Sequence, residues 1–207
     1  MEKSRKIKSK KNRKIKSSIK QKGGQGDIIT QDEIREKIEN DGREICGYID
    51  TTGEHYHTAN GTPRTEFVRG SCSGNIINPN DKVIQWHTHP IESKYYPSFE
   101  DIMKVITDEH LRRSVIYTRF GYWTLMRLRV ESEPIVDSEP IVELKPEEKR
   151  EIKIVYDTVN QLFYEKTEKG RVYNEEVIHY FTELLVRQIN TYLPEGVVLQ
   201  IYWSTYE

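Results

Sequence analysis

Residues 82–101 have the sequence KVIQWHTHPIESKYYPSFED. Its first part alternates in character up to His89, which is the pattern of a β-strand with one buried face. A helical pattern then begins at Ser98, with apolar residues at Ile102, Val105 and Ile106. A strand that ends on two histidines and leads into a helix is therefore the predicted centre of the fold.

Similar patterns extend from this stretch in both directions. The predicted helices cover residues 30–40, 98–110, 146–169 and 174–194. The predicted strands cover residues 45–49, a short segment near Tyr56, and residues 64–69, 82–89, 115–118, 122–130 and 197–203. In the third helix, the apolar stripe is expected to comprise Ile152, Val155, Val159 and Leu162. This order predicts an α+β domain with three layers (α/β/α) and a mixed β-sheet flanked by helices.

Charge is unevenly distributed along the 207 residues, although the net charge is only −1. Residues 1–26 hold eleven Lys and Arg against one acid, a balance of +10, so the remainder carries −11. This tail has too few apolar residues to fold and is predicted to be disordered. Residues 3–22 suit contact with nucleic acid or with a nuclear import receptor. The alternative is a solubilising tail that has no specific partner.

The body of the chain is predicted to begin at residue 27. Residues 27–130 are expected to form the main domain, and residues 131–146 a linker that contains the near-duplicated segments SEPIVD and SEPIVE. The helices and strand of residues 147–207 are expected to pack on the same domain.

Several classes of protein are excluded by composition. The longest apolar runs, such as residues 197–203, are far shorter than the ~20 residues of a membrane span. The charged N-terminus is unlike a secretory signal. Two cysteines, Cys46 and Cys72, cannot form a disulfide scaffold, and Cys46 is expected to pack in the core. These features predict an intracellular protein, in the cytoplasm or the nucleus or both, and not a secreted one.

Candidate metal ligands lie at the end of the 82–89 strand. His87 and His89 are two residues apart, so both side chains point to one face and can reach one metal ion. A carboxylate from elsewhere would complete three ligands and leave a fourth position for water. Ser98 and Asp101 are three residues apart at the start of a helix. Both side chains are therefore expected to point back toward the residues that precede this helix. Their alternative role is a capping box with no metal.

Taken together, three motifs resemble a known family. Glu44 in the strand EICGYI, the segment HTHP at 87–90, and Ser98 three residues before Asp101 resemble the JAMM motif of the MPN-plus (JAB-type) zinc metalloproteases. The resemblance covers about residues 32–130. The family usually has seven residues between the second histidine and the serine, whereas this chain has eight.

The resemblance implies a cytidine-deaminase-like JAB/MPN fold and one Zn²⁺ per chain, bound by His87, His89 and Asp101. It further implies that Glu44 acts as the general base and that Ser98 stabilises the oxyanion. In this family the reaction is hydrolysis of an amide bond, typically at the C-terminus of ubiquitin or a ubiquitin-like protein. Two alternatives stay open: a non-catalytic MPN scaffold, and a nucleic-acid-associated protein that acts through its basic arm.

Other residues near these motifs have weaker functional interpretations. Tyr95 and Tyr96, in the loop before Ser98, are candidates for substrate contact, although loop packing explains them equally well. His55 and His57 form a second His-x-His pair, but no Asp at helical spacing accompanies it, so a hairpin or surface role is favoured. Trp86 precedes His87 and is expected to point away from the metal into the core.

Overall fold

The structure is a computed structural model. It describes residues 27–40, 43–50, 52–63, 84–89, 96–108, 111, 113–130, 142–167 and 173–206. Several predictions lie wholly or largely outside these residues: those for the basic tail, the 64–69 strand, Cys72, Tyr95 and the 131–146 linker, of which only residues 142–146 are described.

The described residues form seven strands and four helices. In chain order they are β1 (Asp27–Ile28), α1 (Gln31–Asn40), β2 (Arg43–Ile49), β3 (His55–Pro63), β4 (Ile84–Thr88), α2 (Phe99–Thr107), β5 (Arg113–Tyr117), β6 (Gly121–Arg129), α3 (Pro146–Lys166), α4 (Glu175–Asn190) and β7 (Val197–Thr205). None of these helices is long and apolar enough to cross a bilayer.

The strands form one sheet in the order β1-β3-β2-β4-β5-β6-β7. Strands β4 and β5 are parallel and are joined through α2, whereas the other neighbouring pairs are antiparallel. The prediction of an α+β fold with a mixed sheet is therefore confirmed. The β4-α2-β5 unit brings the carboxyl end of β4 close to the N-terminus of α2, because a parallel connection must return along the sheet.

Apolar side chains pack on both faces of the sheet. On one face, Ile34 and Ile38 of α1 contact a cluster that includes Trp86 and Tyr117. On the other face, α2, α3 and α4 pack against β5, β6 and β7 in a larger cluster. The helical spacing of Ile102, Val105 and Ile106 is confirmed, since all three are fully buried in that larger cluster.

The C-terminal part of the chain differs from its predicted pattern in two respects. The buried stripe of α3 comprises Ile152, Tyr156, Val159 and Phe163. Leu162, expected in the stripe, is 41% exposed. Aromatic residues of α3, Tyr156 and Phe163, thus take core positions that were predicted for aliphatic ones.

The predicted linker also differs from expectation at its end, because Val142 and Leu144 are buried in the larger cluster.

Candidate metal centre

The two histidines lie at the end of β4: His87 is within the strand and His89 directly follows it. Trp86 faces the α1 side, where it is buried, so the alternation of the strand turns His87 to the opposite side. His89 continues the strand by one step, and its N–H donates to the carbonyl oxygen of Tyr117 at 2.8 Å. Both imidazoles therefore face α2 from a backbone fixed by its neighbour β5, and the prediction for Trp86 is confirmed.

Helix α2 carries the carboxylate. The side chain of Ser98 accepts a hydrogen bond from the N–H of Asp101 at 3.1 Å, and the N–H of Ser98 donates to Asp101 Oδ2 at 2.8 Å. This reciprocal pair is a capping box, which fixes Asp101 on the first turn of the helix. The eight-residue spacing between His89 and Ser98 is thus compatible with a regular helix start.

Three ligand atoms from these elements converge. The Nε2 atoms of His87 and His89 are 3.2 Å apart. Asp101 Oδ1 is 3.2 Å from Nε2 of His87, and Oδ2 is 3.4 Å from Nε2 of His89. Ligands bound to one tetrahedral zinc ion at about 2.0–2.1 Å lie about 3.3 Å from one another. The His87-His89-Asp101 group could therefore hold a metal ion with little rearrangement.

Asp101 is ionised in this group. Burial by itself opposes ionisation of Asp101, but the charge and hydrogen bonds of His87 and His89 outweigh it and hold the pKa of Asp101 well below its usual range. Asp101 is therefore a carboxylate. His89 Nδ1 is buried and has no hydrogen-bond partner in the described part of the chain, so Nε2 is the ring atom of His89 with polar neighbours.

Glu44 approaches the centre from β2. Cys46 of β2 pairs with His87 of β4 in antiparallel register. Glu44 lies two residues before Cys46 on β2, so strand alternation turns its side chain to the same face of the sheet as Cys46 and His87. The buried hydroxyl of Thr88 accepts the N–H of Ile45 at 2.9 Å and so holds the start of β2 against the end of β4.

The structure places Tyr96 in the core. This residue is 1% exposed, and its ring contacts those of Trp123 and Phe163 with centroids 5.0 and 4.5 Å away. A side chain enclosed in this way cannot contact a substrate at the surface. The substrate-contact interpretation of Tyr96 is therefore wrong, and the packing alternative holds because the loop enters the core just before α2.

Cys46 is buried, as expected, but it is also disulfide-bonded. The low cysteine count contributed to the prediction of an intracellular protein, and a disulfide at Cys46 does not fit that prediction. Strand pairing alone gave no signal for the bond.

The second His-x-His pair does not contribute to the metal-capable group of the described residues. His55 lies on the α1 face of the sheet, where its Nε2 is 2.5 Å from the hydroxyl of Tyr117. Its ring also contacts Trp86, with the centroids 6.4 Å apart. These contacts favour the structural role that the sequence analysis preferred for this pair.

His55 predicts a pH dependence of stability. Burial lowers the pKa of His55 below 6.5, so the unfolded chain binds this proton more readily than the folded one. Its contribution to the free energy of unfolding is complete above pH 6.5 and decreases as the pH falls through that value toward the folded pKa. Urea unfolding between pH 5 and 8, with chelator present, should show this decrease in the wild type.

The matched variant is His55→Gln, which keeps a polar side chain but does not titrate. We expect its free energy of unfolding to vary less between pH 5 and 6.5 than that of the wild type. Equal slopes for the two proteins would show that His55 does not carry the effect.

Comparison with protein-family models, with curated proteins and with solved structures finds no match to this chain. The functional interpretation therefore depends on the geometry of the site. Two residues of that geometry were missed by sequence reasoning: Thr88, which ties β2 to β4, and Tyr156, whose hydroxyl reaches the segment before α2. The signal available for Tyr156 was its place on the buried stripe of α3, four residues after Ile152.

Proposed function

We propose that this protein is a zinc-dependent peptidase of the JAMM type, which hydrolyses an amide or isopeptide bond at the C-terminus of ubiquitin or a ubiquitin-like protein. The observation that carries the proposal is the convergence of His87, His89 and Asp101, whose ligand atoms lie 3.2–3.4 Å apart. Two histidines and one carboxylate are a common ligand set of hydrolytic zinc sites, which keep a fourth position for water.

The family assignment in this proposal has two further supports. Each motif position that the resemblance requires is filled with the right residue type, which a scaffold domain without activity has no need to retain. The carboxylate also comes from a capped helix that follows the histidine strand, so the three motifs have the order and secondary structure that the resemblance implies.

Within this proposal, Glu44 is the general base. When bound, zinc supplies Lewis acidity and lowers the pKa of its water toward about 7. Glu44 would accept a proton from the attacking water and would return it to the leaving amine. Its position two residues before Cys46 on β2 supports this role, because Cys46 pairs with His87 and alternate residues of a strand share one face.

Ser98 is the proposed oxyanion donor. Its Oγ serves the capping box only as an acceptor, so the hydroxyl hydrogen is not used by that box. The capping and catalytic interpretations of Ser98 are therefore compatible, since one atom accepts from Asp101 while its hydrogen donates to substrate. A donor of this kind contributes roughly 2.7–4 kcal/mol to transition-state stabilisation.

The charge of the chain supports the proposed substrate class. Residues 27–207 carry a balance of −11, and a ubiquitin-type C-terminal tail is basic and extended. Opposite charge favours encounter and orientation of such a tail. The role of residues 3–22 toward nucleic acid or an import receptor remains a separate prediction.

The test is a panel of ubiquitin and ubiquitin-like proteins, each carrying a fluorogenic amide or a lysine conjugate at its C-terminus. We expect cleavage of at least one member, its loss with a zinc chelator, and its return when zinc is added back. Cleavage that persists in excess chelator would contradict the zinc mechanism. A zinc-loaded protein that cleaves no member would contradict the proposed substrate class.

A further inference from the structure

Asp101 can bind a metal only if the first turn of α2 is held at a fixed distance from β4. The capping box makes residues 98–101 a compact unit, but its hydrogen bonds are internal and do not attach the unit to the sheet. Ile102, Val105 and Ile106 bury the body of the helix in the larger cluster, and Phe99 packs against that cluster. An attachment of the backbone just before Ser98 would further fix the position of this turn.

Helix α3 makes that attachment. The hydroxyl of Tyr156 donates to the carbonyl oxygen of Pro97 at 2.9 Å, and both residues are buried. Pro97 directly precedes Ser98, so this hydrogen bond holds the backbone immediately before the capping box. Burial raises the pKa of Tyr156, and its phenol therefore stays protonated as a donor across the ordinary pH range.

A second contact reinforces the first. The ring of Phe99, the first residue of α2, contacts the ring of Tyr156 with centroids 5.7 Å apart. Lys153, one turn earlier on α3, places its ammonium 5.3 Å from the Phe99 ring and 5.9 Å from the Tyr156 ring. One turn of α3 thus contacts the residues on both sides of Ser98.

We propose that Tyr156 is a positioning residue for the metal centre, acting through Pro97 to place the carboxylate of Asp101. The inference rests on the metal site of the proposed function. It makes the C-terminal helices part of the machinery that shapes this site, beyond their place in the core. Metal–ligand distances tolerate deviations of only about 0.2 Å, so a small displacement of the first turn of α2 is enough to weaken binding.

The test is Tyr156→Phe, which removes the hydroxyl and keeps the ring against Phe99. Zinc affinity is measured by competition with a chromophoric chelator, and coordination by the visible spectrum of the cobalt-substituted protein. We expect zinc affinity to fall about 10-fold, the lower end of the range seen when a group bonded directly to a metal ligand is removed, because Tyr156 acts through Pro97. The cobalt bands of tetrahedral coordination should weaken as well.

The matched control is Tyr173→Phe, which deletes a tyrosine hydroxyl that accepts a hydrogen bond from Trp203 Nε1 elsewhere in the same core. We expect it to lower the melting temperature of the metal-free protein without changing zinc affinity. If Tyr173→Phe weakened zinc binding as much as Tyr156→Phe, general loosening would explain both and the proposal would fail.

A double-mutant cycle with Asp101→Ala, which removes the ligand atom at this position, tests whether Tyr156 acts through Asp101. If it does, Tyr156→Phe causes no further loss of the residual affinity of His87 and His89 in the Asp101→Ala background. Additive losses, or wild-type zinc affinity in Tyr156→Phe, would overturn the inference. A wild type that binds no zinc would remove the metal site and the inference with it, whereas a wild type that binds zinc without hydrolysis would contradict only the proposed activity.

Discussion

Replacing Glu44 with glutamine is expected to lower the rate of hydrolysis by about 10²–10⁴-fold while zinc stays bound. Glutamine has nearly the same size and remains able to hydrogen-bond, but it cannot accept a proton at neutral pH. The three ligand atoms belong to other residues, so the metal content should remain that of the wild type. The measurement is kcat/KM on the best substrate of the panel, together with zinc per chain.

Glu36→Gln is the control for this substitution, because Glu36 is exposed on α1 at the other face of the sheet. It should leave both activity and zinc content unchanged. Full activity in Glu44→Gln would show that another group takes the proton. Loss of zinc in Glu44→Gln would show that Glu44 contributes to the metal site itself.

Replacing Asp101 with asparagine is expected to lower zinc affinity by more than about 100-fold. Loss of a group that only supports a metal ligand costs up to about 100-fold, and here the ligand itself is changed. The amide oxygen of asparagine can still accept the N–H of Ser98, so the capping box can persist. The charge that balances zinc is lost, and a neutral oxygen binds it less well. Zinc competition and thermal unfolding of the metal-free protein measure the two effects separately.

Glu100→Gln makes the same chemical change one residue earlier, at an exposed position outside the ligand group. It should keep wild-type zinc affinity, which separates the role of the ligand from that of negative charge near α2. If Asp101→Asn bound zinc as tightly as the wild type, the carboxylate could not be a ligand. A collapse of the fold in the metal-free variant would instead assign Asp101 a mainly structural role.

Much of the fold was predictable because its signals are local. Strand alternation placed Trp86 and His87 on opposite faces, and helical spacing identified Ile102 as core. The capping box of α1, in which Thr30 and Glu33 exchange hydrogen bonds, follows from residues three apart in sequence. Signals of this kind need no knowledge of what packs against them.

The rest depends on contacts between residues far apart in sequence. Tyr96 looked like a loop residue, yet it is enclosed by Trp123 and by Phe163 of α3. The stripe of α3 was assigned from apolarity, so Val155 was preferred to its neighbour Tyr156, whose hydroxyl has a partner only after α2 is placed. Tyrosine can be buried when its polar end finds such a partner, and sequence spacing does not show whether one exists.

The sequence was sufficient to predict the three candidate ligands of the site, but not the residues that hold them in place. His87, His89 and Asp101 carry their chemistry in the side chain, so residue type and local spacing suffice to propose them. Thr88 and Tyr156 act through backbone groups of Ile45 and Pro97, which every sequence contains. Their roles appear only when the strands and helices have been placed in space.

X-ray absorption at the zinc edge, on purified protein with its metal content determined, tests whether His87, His89 and Asp101 bind one zinc ion per chain. We predict one zinc per chain, with a first shell of nitrogen and oxygen at about 2.0–2.1 Å that includes two imidazoles. A sulfur shell at about 2.3 Å, or the same zinc content and spectrum after His87, His89 and Asp101 are all replaced by alanine, would contradict this account.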